Sequence, residues 1–128
     1  MTRLQRAISI LVVLLTAVSG AQAQNPVLTI EGACPGNLHV QADGIPTPGI
    51  TVHLYYSPRR GSYTFPPFTP CYGVEVGLDV RHLWYLGATR ADESGTATWD
   101  GAAGPSACGG FLQAMSRLCS ITNVVRIP

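Results

Sequence analysis

The residues of this chain able to do chemistry are three histidines, seven carboxylates and four cysteines; every basic side chain is arginine. A structural zinc site needs cysteines or histidines in closely spaced pairs. Cys34, Cys71, Cys108 and Cys119 stand 37, 37 and 11 residues apart, with no CxxC pair and no close Cys/His cluster. His39 and His53 each sit between apolar neighbours in segments that alternate, so both fall on outward strand faces. In a sandwich those two strands lie in different sheets, and the rings point apart. His82, beside Asp79 and Arg81, reads as a structural or exposed group at a strand edge. No metal ligand set follows.

Nucleophilic chemistry fares no better. A serine hydrolase needs its serine on a strained turn with a histidine in reach. Ser94 lies in Asp92-Glu93-Ser94-Gly95, which lacks the first glycine of a GxSxG elbow and reads as a hairpin turn. Sugar hydrolysis needs two carboxylates across a cleft, whereas Asp92 and Glu93 share one exposed turn, and Asp79 and Asp100 read as surface positions. The same turn lacks the twelve-residue ligand set of a calcium loop. The expectation is a chain with no catalytic residues, no cofactor and no metal.

One stretch does look equipped for binding. Residues 57–72, SPRRGSYTFPPFTPCY, hold four prolines and two adjacent arginines. Arg59 and Arg60 stand near Tyr63, Phe65, Phe68 and Tyr72, which offers stacking faces beside fixed donors. Tyrosine and arginine are enriched at binding hot spots. Loops this long in a compact domain are functional or disordered, and the aromatic content argues against disorder. The reading preferred to this is an end cap, in which Phe65 and Phe68 tuck inward while the arginines face water. Trp84 and Trp99 fall in neighbouring predicted strands, where cross-strand pairing is open to them, and Trp99 is also a core candidate. With both exposed, they would suit a sugar.

The elements that must position these residues are short strands. Residues 27–31 (VLTIE), 38–42 (LHVQA), 50–56 (ITVHLYY), 74–80 (VEVGLDV), 82–91, 96–100, 111–115 and 122–127 alternate or are β-rich. Leu38, Val40 and Ala42 point inward, as do Ile50, Val52, Leu54 and Tyr56, and then Val74, Val76, Leu78 and Val80. The last two strands form a closing hairpin through Ser116, Arg117 and Leu118. Turns rich in Gly and Pro separate the strands, and no helical period is present. The pattern predicts an all-β, immunoglobulin-like antiparallel sandwich of seven or eight strands.

Ahead of it stands a leader. Arg3 and Arg6 precede an apolar run over residues 7–18, and Ala21-Gln22-Ala23 gives the small residues of a signal-peptidase site. The run is shorter than the ~20 residues of a bilayer span. The reading is a cleaved signal peptide over residues 1–23 and a single domain over 24–128, secreted to the periplasm or the medium. Losing Arg3 and Arg6 leaves six arginines against seven carboxylates. Without a basic footprint, nucleic acid and anionic membrane are excluded as partners. The expected product is a monomer.

At the closing hairpin, FLQAM and TNVVRI resemble the last two strands of immunoglobulin-like and fibronectin-type-III-like bacterial modules. The hairpin ATRADESGTATW resembles their middle. Cys34-Pro35-Gly36, Thr47-Pro48-Gly49, Cys71-Tyr72-Gly73 and Ala107-Cys108-Gly109 with Cys119 are similar to a class of small secreted bacterial proteins of unknown function. The resemblance implies a β-sandwich and carries almost no functional content, since such sandwiches host unrelated roles. The chain departs from the immunoglobulin pattern because all four cysteines fall in turns or loops, so bridges would clip ends and not cross the core.

An exported short chain with four cysteines implies two disulfides. Cys108 and Cys119 bracket a strand rising ~3.3 Å per residue, which is too long for cysteines bonded within about 7 Å at Cα. That excludes Cys108–Cys119 with Cys34–Cys71. Counting strands alternately up and down puts Cys34, Cys71 and Cys119 at one end. Because Cys71 and Cys108 lie on the two long loops, the favoured set is Cys71–Cys108 with Cys34–Cys119; Cys34–Cys108 with Cys71–Cys119 comes next. The functional expectation is a secreted, non-catalytic module with a structural or binding role toward a protein or glycan. A carbohydrate- or cell-wall-binding module is the alternative, and a small secreted enzyme or inhibitor the third.

Overall fold

A computed structural model describes residues 25–128. The leader over 1–23 and its cleavage site lie outside the described residues. Nine strands follow in order: β1 (Val27–Gly32), β2 (Gly36–Asp43), β3 (Thr51–Ser57), β4 (Arg60–Thr64), β5 (Glu75–Leu78), β6 (Trp84–Arg90), β7 (Ala97–Ala103), β8 (Phe111–Ser116) and β9 (Val125–Arg126). Two single 3-10 turns, Val80–His82 and Pro105–Ala107, interrupt them. Among the described residues no helix is long and apolar enough to cross a membrane.

Seven strands build the immunoglobulin-like sandwich. One sheet has the order β1-β2-β7 and faces a second of order β6-β3-β8-β9, with every pairing antiparallel. The core lies between them. Leu38, Val40 and Ala42 of β2, Val52 and Leu54 of β3, and Leu112 and Ala114 of β8 are all buried in one cluster. Period-two alternation delivers them to a single face, and fully burying each large apolar side chain contributes about 1.5–3 kcal/mol. Ile50 and Tyr56 pack against the same cluster from its margin.

Strands β4 and β5 form a third, two-stranded sheet. Strand β4 falls inside the stretch expected to be loop. All five of its residues are exposed, so it presents no apolar stripe; its backbone pairing to β5 holds it. Leu78 is buried, but outside the main core cluster. Val80, expected inward, is exposed in the 3-10 turn.

The closing hairpin also differs from expectation. Only Val125 and Arg126 are ladder residues in the final strand. Just before them, backbone pairing with β8 is confined to a single bridge at Ile121, where the Thr122 amide donates to the Ala114 carbonyl at 3.0 Å, and side chains add to it. Thr122 Oγ1 accepts from the Ala114 amide at 3.0 Å. Asn123 Oδ1 accepts from the Leu28 amide at 2.7 Å, and its Nδ2 donates to the Leu28 carbonyl at 3.2 Å. One carboxamide thus imitates a strand neighbour for β1 and ties the two sheets together.

The disulfides are Cys34–Cys108 and Cys71–Cys119, which corrects the favoured pairing of Cys34–Cys119 with Cys71–Cys108. The unforeseen β4 is the reason. One extra strand inverts the up-and-down count for everything after it, carrying Cys71 to the far end beside Cys119 and bringing Cys108 back beside Cys34. All four cysteines lie in turns or loops, as expected. Two such bridges are those of a protein that folds in an oxidising, extracellular-type environment.

Candidate functional site

The β4–β5 hairpin lies over the outer face of the four-stranded sheet. Buried Ser57 begins its attachment: its hydroxyl donates to the Asp79 carbonyl at 3.2 Å and accepts from the Arg59 amide at 3.3 Å. Gln113, buried on β8, continues it. Its Oε1 accepts from the Gly77 amide at 2.9 Å, and its Nε2 donates to the Thr122 carbonyl at 2.8 Å. A Cβ at Gly77 would stand 2.7 Å from Val124 Cγ2, so the Val124 side chain would have to shift to admit one. Under the hairpin remains an apolar cavity of about 100 Å³, bordered by Tyr55, Phe65, Val76, Leu83, Met115 and Ile121.

At the far end the chain turns through residues 65–74. Phe65 and Val74 close the turn through their amide and carbonyl at 3.0 Å, and the Gly73 amide donates to the Phe65 carbonyl at 3.1 Å. Thr69 Oγ1 donates to the Pro66 carbonyl at 2.7 Å. Three prolines in the tip fix φ and lower the freedom of the unfolded chain. The Cys71–Cys119 bridge then ties the tip to the turn after β8. On this support Phe68 is 105% exposed, with φ at +68°. A β-carbon in the left-handed region costs roughly 1–2 kcal/mol, so the surrounding bonds over-determine this shape. Tyr72 is exposed beside it.

The candidate binding residues therefore separate. Phe68 and Tyr72 occupy the tip. Phe65 is half-buried over the cavity and meets Tyr63 edge-on, with ring centroids 5.5 Å apart. Arg59 and Arg60 stand at the opposite end of β4, about 16 Å away along a five-residue strand. Arg60 lies over the Phe111 ring at 4.9 Å, a cation–π contact that gives it a partner within the fold. Inward tucking holds in part for Phe65 and not for Phe68.

A second cluster escaped sequence reasoning. His53 and Tyr55 on β3 and Tyr85 on β6 share the outer face of the four-stranded sheet, with His53 Nδ1 and Tyr85 Oη 3.0 Å apart. The outward alternation of His53 and Tyr55 was legible; the alignment with Tyr85 depends on a register shift between Leu54 and Tyr55. Burial pushes the Tyr55 phenol up, with the Tyr85 phenol adding to it. The rings are tilted 45–52° to one another, so they form no flat platform. Trp84 and Trp99 do not pair, because β6 and β7 belong to different sheets. Trp99 opposes Val40 and packs against the core, while Trp84 stays exposed.

The remaining polar groups hold turns and strand faces. His39 Nδ1 lies 2.6 Å from Asp100 Oδ1 across β2 and β7, at a shallow depression also bordered by Glu31 and Asn37. Hydrogen bonding to Asp100, and secondarily to Gln41, raises the His39 pKa. No serine, threonine or cysteine borders that depression. His82 hydrogen-bonds Asp79 at 3.1 Å and thereby lowers the Asp79 pKa. Asp92 accepts from the Ser94 hydroxyl at 2.7 Å and from the Ser94 and Thr96 amides, which lowers its pKa and makes Ser94 a turn residue. His39 and His53 stand on the outer faces of different sheets. Among the described residues no group of three or more His, Cys, Asp or Glu could hold a metal ion. Comparison with protein-family models and with curated proteins finds no match for the chain.

Proposed function

We propose that this chain is an exported, non-catalytic binding module that recognises another protein through the tip of its β4–β5 hairpin. The observation that carries the reading is Phe68, fully exposed on a loop held by prolines, hydrogen bonds and the Cys71–Cys119 bridge. Not one charged residue lies between Arg60 and Glu75, so the tip can leave water without stranding a charge. Burying one phenylalanine in a partner's pocket contributes about 1.5–3 kcal/mol. A pre-ordered loop spends little of that on immobilisation. Export suits the two disulfides and the leader-like residues 1–23. A glycan ranks second, because the exposed rings beside Trp84 are tilted and not coplanar. The inhibitor reading is weaker, since a left-handed Phe68 departs from the extended backbone of a bound substrate strand.

A photoreactive phenylalanine analogue placed at position 68, and separately at exposed Thr98 on β7, tests the proposal in exporting cells. Position 68 is expected to yield an adduct with a discrete protein, and position 98 none. Equal labelling from both positions, or adducts with lipid alone, would refute it. Phe68→Ala should remove the competition of unlabelled protein for that adduct while shifting unfolding stability by less than about 0.5 kcal/mol, because the ring touches little of the fold.

A further inference from the structure

The strand order leaves one side of β6 without a neighbour. Edge strands expose unpaired amides and carbonyls, and proteins blunt them with charge, proline or shortness. Every sandwich edge carries at least one charge. Strand β1 carries Glu31, β7 carries Asp100, and β9 has two residues, one of them Arg126. On β6 the charge is Arg90, at the last position of the strand; residues 83–89 before it, LWYLGAT, carry neither a charge nor a proline. Within them Trp84 is 66% exposed, Tyr85 57% and Leu86 53%. Leu86 has no partner on β3, because the register shifts there. Gly87 follows it at the register shift with φ at +132°, a conformation that favours glycine, and a Cβ there would meet nothing within 4 Å. A strand glycine in open space allows a second backbone to approach closely.

We propose that β6 pairs with the β6 of a second copy, antiparallel about Gly87, to form a dimer with one continuous sheet. The flanks of the strand select this occupant. Arg81 precedes β6 and Glu93 follows it, and both are exposed. Antiparallel pairing brings the Arg81 flank of one copy to the Glu93 flank of the other, twice by symmetry. Within the strand it sets Trp84 opposite Arg90, a cation–π pair, and Leu86 opposite Ala88. A two-fold axis makes the patch its own complement. The inference is independent of the loop-tip reading, since it uses a different edge and a different partner.

Sedimentation of the disulfide-bonded protein over a range of concentrations tests it. The wild type should show a monomer–dimer equilibrium. Leu86→Lys, which adds an edge charge, should weaken dimerisation at least tenfold with an unchanged circular dichroism spectrum. Arg81→Glu should weaken it roughly tenfold, from two lost ion pairs and the repulsion that replaces them. Adding Glu93→Arg to Arg81→Glu should restore it. A wild type that remains monomeric at millimolar concentration overturns the proposal, whatever foreign strand or glycan the edge then takes. A charge swap that fails to restore the dimer also overturns it, and that readout stands even if Leu86→Lys does not fold.

Discussion

At the scale of single residues, polar side chains stand in for backbone partners and fasten turns. Asn123 completes a backbone pair for Leu28, and Asp92 gathers the donors of a tight turn. His39 is the clearest titrating case. Its pKa is raised above 6.5, first by the Asp100 hydrogen bond. A raised folded value means the favourable contribution is complete below the unfolded value and disappears as pH climbs through the folded one. A proton-carbon NMR titration should therefore place the His39 midpoint above 6.5, and Asp100→Asn should bring it back toward that value. A midpoint unmoved by Asp100→Asn would rule out the pair as the cause. The outward position of His39 was legible from alternation. Its partner was not, because Asp100 lies 61 residues away and meets it only through the β2–β7 register.

At the scale of elements, the β4–β5 hairpin is the departure from a plain sandwich. Its apolar half was readable in Val76 and Leu78. Its other half was not, since Arg60–Thr64 has no buried face to produce a pattern. Gln113 fastens this hairpin to β8 through the Gly77 amide. Gln113→Leu removes that acceptor and the donor to the Thr122 carbonyl, leaving both backbone groups unpaired under the hairpin. The expected cost is about 1–3 kcal/mol in urea unfolding. Amide exchange at Gly77 should also accelerate more than exchange at Val52 in the core. Equal acceleration at both would mean that the substitution weakens the fold as a whole and does not release the hairpin.

At the scale of the whole molecule, the two bridges clip opposite ends of the sandwich. Their cysteines are 74 and 48 residues apart. The loop-entropy relation gives about 4 kcal/mol for either length, a large share of the roughly 5–15 kcal/mol of a typical domain. Cys34→Ala/Cys108→Ala and Cys71→Ala/Cys119→Ala should each lose about that amount in guanidinium unfolding, and full reduction should abolish the folded state at 37 °C. Recovery of a Cys34–Cys119 peptide from the non-reduced digest would contradict the topology itself.

The amino-acid sequence by itself determined the all-β class, the inward faces of β2 and β3, and the confinement of the cysteines to turns. These follow from local alternation and turn chemistry, which depend only on near neighbours in the chain. Tertiary structure alone decided which cysteines meet, that Phe68 stands in water, and that Trp84, Tyr85 and Leu86 line a free edge. Each of those depends on where separate strands lie relative to one another. A single exposed strand, held by backbone bonds and silent in the hydrophobic pattern, was enough to reverse that arrangement.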